Sequence, residues 1–387
     1  MMGMMRSRLA LALFLLASVP VLACAGDKDP SPPSAATVGA APGGIPVPSS
    51  TRSEDLTLVY VDTSKGQGVE VYAAAFDGTG PRLLTTLPNG TRPLDFAGSS
   101  LAAARQRQIT LVDLKGGALR NVPTANLVRD GRFVDANTLV YTTFAGCGPP
   151  NDSKTTLIKL DLRSLQQTEL AAPDQRGLNI AGADTTMGQV AVTLRGCDVA
   201  VKNIAVYNLS DGRQASTISS DGCGWALTAL ALKKALVSWQ FCSGGKANTD
   251  VTLLDYSTTP PSTKDLKAPA GGANLHEFRL RPGQPQAALG TQMPGTPGPG
   301  FKATPTGLWL LDLNSGNFSN LVQADGLEQY PVAWSPDGRL LLAATVRAMG
   351  LCDYAAIDVT SKQVTPLSKS LTLCGANGDL LGWTVLR

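Results

Sequence analysis

The residues of this 387-residue chain whose types and spacing could do chemistry are few: seven cysteines, one histidine, and seven Asp or Asn residues recurring at a regular phase. His276 is the only histidine, which excludes a multi-histidine metal site and leaves any Ser-His-Asp triad a single base. No G-x-S-x-G elbow accompanies it, and no Walker, Rossmann or EF-hand spacing is present. His276 lies in the run LHEFRLR beside Glu277, where a structural or channel-lining role is expected ahead of a general base. The residues therefore point to no catalytic constellation, no metal and no cofactor.

The cysteines carry a different message. Setting Cys24 aside leaves Cys147, Cys197, Cys223, Cys242, Cys352 and Cys374, an even set that reads as up to three disulfides in an exported chain. Zinc would need paired C-x-x-C spacing, which is absent. Six cysteines allow 15 pairings, and the expected ones are Cys147–Cys197, Cys223–Cys242 and Cys352–Cys374.

The seven acidic or amide residues step back to the elements that hold them. Apolar runs lead into Asp77, Asp113, Asp161, Asn208, Asp255, Asp312 and Asp358, at intervals of 36, 48, 47, 47, 57 and 46 residues. A period near 47 is that of propeller blades. Each side chain can accept backbone N–H groups in a turn between strands, so these residues punctuate the fold and form no catalytic cluster. Each period divides into four strands; in the last, PVAWSPDGR is the inner strand and its turn, followed by LLLAATV, YAAIDV and QVTPLS. Runs such as TLVYV and LLLAA lack strict alternation, as expected of strands buried on both faces.

Counting strands predicts closure. TLVYVD (57–62) reads as a second strand with no inner strand before it, and DLLGWTVLR (379–387) as an inner strand with nothing after it. The fold class expected is all-β, a seven-bladed β-propeller closed by the C-terminal strand, with six or eight blades as the alternative counts. Composition agrees: 40 Gly and 26 Pro with 5% aromatic and 16% charged residues disfavour helical bundles and coiled coils.

The first segment reads as an address. Arg6 and Arg8 precede the apolar run Leu9–Ala23, which is too short and Pro-interrupted for a spanning helix. Val21-Leu22-Ala23-Cys24 resembles a bacterial lipobox with Cys24 as the lipidated residue; simple secretory cleavage is the alternative. Residues 25–53 hold six prolines, four glycines and no aromatic residue, the composition of a linker. The expected organisation is a signal peptide (1–23), a lipidated Cys24 and linker (24–53), and a propeller (54–387). With 33 basic against 30 acidic residues there is no basic excess for wholesale nucleic-acid binding.

Trp334-Ser335-Pro336-Asp337-Gly338-Arg339 followed by an apolar strand resembles the signature of TolB-like propeller repeats, and Tyr72–Gly80 (YAAAFDGTG) resembles their third-strand half. The resemblance implies a bacterial envelope propeller that works as an interaction scaffold, and it carries no catalytic residue. Nothing in the chain resembles the helical domain that precedes the propeller in TolB itself.

Propeller topology places the second-to-third-strand loops and the inter-blade loops on one face. All six cysteines map there, with the long loops 145–154 and 292–306. Loops on a rigid scaffold are where binding resides, so this face is expected to take a partner through Arg195, Asp198, Trp225, Phe301 and Arg347. The expectation is a monomeric, membrane-tethered scaffold outside the cytoplasm that binds an envelope protein or glycan. The alternative is a propeller hydrolase or lyase working at the channel mouth.

Overall fold

Val59 and Val61 pack into one apolar cluster while Leu58 and Tyr60, their neighbours in the same strand, pack into another. That division repeats through the whole fold and explains the unbroken apolar runs: successive side chains point to opposite faces of a strand, and here both faces are covered. The computed structural model describes residues 52–63, 68–144, 155–174, 177–184, 187–195, 201–219, 223–242, 251–258, 260–269, 274–292, 305–325, 327–348, 351–368 and 381–386. All belong to the unit spanning 35–387. Among the described residues the structure is all-β and antiparallel, with 28 strands and one short 3-10 turn at Ser53–Asp55.

The strands form five separate four-stranded sheets and one of eight, in which two sets of four are joined by the single pair Thr291↔Gln329. We call each set of four a blade and number the blades in chain order. The C-terminal strand Leu381–Thr384 pairs antiparallel with Thr57–Asp62, Thr57 opposite Thr384, and so serves as the inner strand of blade 1. The other inner strands are Arg92–Ala97, Leu127–Asp135, Gly177–Asp184, Cys223–Ala231, Asn274–Leu280 and Gln329–Trp334. Among the described residues seven apolar clusters lie between blades, each uniting side chains of two neighbours, the cluster between blade 7 and blade 1 included. The core is thus a set of junctions closed by the two ends of the chain.

The repeating Asp and Asn residues hold the hairpins between third and fourth strands. Asp161 Oδ1 accepts the backbone N–H groups of Arg163 and Ser164, and Asp312 does the same for Asn314 and Ser315. The backbone closes the same loop five times: the N–H of the fifth residue bonds the carbonyl of the first at Asp113, Asp161, Asn208, Asp312 and Asp358. That fifth residue lies in the left-handed region each time, as Gly117, Leu165, Gly212, Gly316 and Lys362. Cationic side chains then tie these turns to the preceding blade: Arg82 reaches the Lys115 carbonyl, Arg120 that of Leu162 and Lys159 that of Leu209.

Candidate functional site

The inner strands face the axis of a propeller, and six of them share a deformation. Each register skips a residue, leaving Leu94, Arg129, Ala181, Thr228, Glu277 and Val332 as bulges, and the blade 3 strand skips Val134 as well. A bulge frees backbone groups from the ladder, and a buried carbonyl must find another donor. Arg132 Nη1 donates to the Leu94 carbonyl at 2.7 Å, and Arg279 Nε to the Val332 carbonyl at 2.8 Å, each reaching into the adjacent blade. Aspartates bridge the first of these junctions and the one after it: Asp95 Oδ2 accepts the Phe133 N–H at 2.8 Å, and Asp130 Oδ2 the Ile180 N–H at 3.1 Å. Asp184 accepts the N–H of Leu232. Burial raises Asp95 to about 6, against the pull of Arg132 and its two backbone bonds.

Glu277 differs from the other five bulges. It alone among them has positive φ, +50°, a conformation that strains a residue with a Cβ by about 1–2 kcal/mol. Its carboxylate is largely buried and lies 3.3 Å from Arg279 Nη1. Burial raises its pKa, opposed by Arg279 and reinforced by Glu328. Tyr330, on the next inner strand, is pushed up to about 12 by burial and then by Glu277 and Glu328. Its hydroxyl is 3.5 Å from Cys352 Sγ, which is buried. The run LHEFRLR singles out His276, but the strained residue is its neighbour. A bulge whose register partner lies on another strand has no local signature.

The structure places the residues expected on the binding face at several separate points. Arg347 lies at the bulge between Val346 and Ala348, exposed, its Nε 2.9 Å from Asp353 Oδ2. Arg195 ends its strand opposite Gly177, and Trp225 stands opposite Trp239; only their backbone is described, as for His276. Asp198 and Phe301 lie outside the described residues, as do Cys24, Cys147, Cys197 and Cys374. Cys223 opens the inner strand of blade 5 directly opposite Cys242. Among the described residues no group of three or more His, Cys, Asp or Glu side chains could hold a metal ion.

No protein-family model matches the chain, and no curated protein does. Solved structures do. The propeller domain of the Trilobed protease from Pyrococcus furiosus is similar at 12% identity and a TM-score of 0.54, over 84% of this chain and 96% of that one. Oligogalacturonate lyase from Vibrio parahaemolyticus is similar at 12% identity and 0.52, over 81% and 85%. TolB from Acinetobacter baumannii is also among the matches, at 13% identity and 0.47, over 87% and 68%. Of a prolyl endopeptidase it spans 49%. At such identities the first two likenesses show the fold alone: this chain is an all-β propeller.

Proposed function

We propose that this is an exported propeller, tethered by lipid at Cys24, whose loop-bearing face, opposite the face on which the chain enters the first blade, takes an envelope partner. One observation carries the reading: where the chain joins the fold. Thr57–Asp62 is a second strand, so the chain arrives on the face of the first-to-second-strand turns. Ser53 accepts a hydrogen bond there from Arg339 Nη2, in such a turn of blade 7. Arg195, Trp225, Arg347, Cys223, Cys242 and Cys352 belong to the opposite face. A tether on one face leaves the loop-bearing face free for a partner. We read the ring as seven blades and the loop face as stapled by disulfides. Support for the staples comes from the register of Cys223 and Cys242 and from Cys352, a buried disulfide half, for which Cys374 is the partner we propose.

The carboxylates a channel-mouth enzyme would use are engaged elsewhere: Asp95 and Asp130 hold backbone N–H groups, and Glu277 pairs with Arg279. The strain at Glu277 is the one observation that favours the hydrolase or lyase reading. The test is intact mass of the membrane-fraction protein before and after reduction. A start at Cys24 with added acyl mass, and six cysteines alkylated only after reduction, is expected. Retention of residues 1–23, or a lipid-free start beyond Cys24, overturns the tether.

A further inference from the structure

We propose that the loop face of blades 2 and 3 binds a linear anionic glycan through Arg92, Arg105, Arg107 and Arg129; the idea rests on the scaffold reading above and names its partner class. Arg92 begins the inner strand of blade 2, and Arg105 and Arg107 flank the tight turn between its second and third strands. Arg129 is the bulge of the next inner strand. The backbone brings them together. Arg92 Nη2 donates to the Arg129 carbonyl, the Val128 N–H bonds the Gln106 carbonyl, and the Thr124 N–H bonds that of Arg107. All four arginines are thus arranged around one short segment, 124–129.

Three of the four carry charge with no local counterweight. Arg92, Arg105 and Arg107 are exposed, and none forms an ion pair among the described residues. The adjacent Asp130 gives its two oxygens to the N–H groups of Gly131 and Ile180. Arg129 lies over the ring of Phe144, 5.2 Å from its centroid, which holds its guanidinium in place.

The spacing favours a polymer over a protein. Arg92 and Arg105 end adjacent strands of one blade, which run about 5 Å apart, with Arg107 just across the turn. A ligand with one anion per repeat can meet successive guanidinium groups, each suited to bidentate recognition of carboxylate or phosphate. A protein partner would need an apolar anchor, and among the described residues the large exposed apolar side chain here is Leu127 alone.

The test uses the full-length protein in detergent, with affinity electrophoresis in gels containing alginate, a phosphomannan or neutral dextran. Retardation by alginate or by the phosphomannan, and none by dextran, is expected; which of the two binds identifies the anion. Added salt weakens it. Substituting Arg105→Gln and Arg107→Gln together lowers affinity about tenfold or more, with an unchanged melting curve, whereas Arg213→Gln, exposed in the third-to-fourth-strand turn of blade 4, leaves it unaltered. Absence of retardation, or equal retardation of the double variant, overturns the proposal. Tighter binding to poly-L-glutamate overturns it in favour of an acidic protein. The mass measurement that tests the tether is independent of each of these outcomes.

Discussion

Asp95 Oδ2 accepts the backbone N–H of Phe133 at 2.8 Å, so one carboxylate spans the junction of blades 2 and 3. Its other oxygen accepts the N–H of Phe96 on its own strand. The same residue is buried so completely that its pKa rises to about 6, with Arg132 only partly compensating. A raised folded-state pKa means the folded protein keeps this proton when the unfolded chain has lost it. The stabilisation is complete below the unfolded value near 4 and is lost as pH rises through about 6. The shift corresponds to about 3 kcal/mol. Asp77, Asp161, Asp255, Asp312 and Asp358 are shifted down and act below this window.

Asp95→Asn removes that titration and sets an amide N–H against a backbone N–H. The wild type is expected to lose more stability than the variant between about pH 4.5 and about pH 7.5, by about 2–3 kcal/mol. Urea midpoints at the two pH values measure the difference. Equal pH dependence in both proteins would show that Asp95 does not titrate there. A residual slope in the variant is expected from Glu277, also shifted up by burial.

What the sequence makes legible is what repeats locally. Asp161 and Asp312 announce their turns because the groups they bind are two and three residues away. The closing strand is legible because DLLGWTVLR (379–387) is a strand-forming run of the kind an inner strand needs. Asp95, Arg132 and Arg279 look like ordinary charges in strand-forming runs, and their partners lie 38 to 53 residues away. The arginine cluster is dispersed for the same reason, across three strands and a turn. Arg347 is legible as a face residue, but its partner Asp353 depends on a bulge that no residue type specifies.

The shared hairpin distinguishes two kinds of fifth residue. Gly117 and Gly212 have φ near +70°, and a Cβ at either would lie 2.3 Å from the carbonyl oxygen of Leu84 or Leu170 on the preceding blade. Gly117→Ala and Gly212→Ala therefore combine left-handed strain with a backbone clash, and each is expected to lose about 2–4 kcal/mol. Lys362 occupies the same position at φ +58° and donates to the Asn320 carbonyl. Lys362→Gly relieves strain and gives up one exposed bond, so its stability should stay within about 1 kcal/mol of wild type. Denaturant titrations of the three variants compare these costs, and a tolerant Gly117→Ala would show that the blades separate easily there.

Cys223 and Cys242 stand directly opposite in an antiparallel pair, where Cα atoms lie about 4.5–5.5 Å apart, within the range a disulfide spans. Digestion without reduction should yield a linked peptide containing both. Two separate alkylated peptides would exclude that pairing, and a link from Cys223 to Cys197 would shift the staple from within blade 5 to between blades.

The ring depends on its last strand. Trp383 is 1% exposed, its indole N–H donates to the Phe76 carbonyl at 3.1 Å, and its ring stacks on Phe76 at 5.5 Å. Trp334 is buried to the same degree in blade 7 and donates to the Arg279 carbonyl at 2.9 Å. Removing either indole leaves a large cavity, so Trp383→Ala and Trp334→Ala should each lose about 3–5 kcal/mol. The two losses differ in their consequence for association. Blade 7 keeps its four strands without Trp334, whereas loosening of Leu381–Thr384 bares the edge of Thr57–Asp62, a template for pairing with another chain. Trp383→Ala should therefore form dimers and larger species in size-exclusion chromatography at concentrations where Trp334→Ala stays monomeric. Trp383→Phe, which keeps most of the volume and loses the N–H donor, should recover the monomer at a cost of about 1–2 kcal/mol. Association of both alanine variants alike would assign the effect to general instability and not to the closing strand.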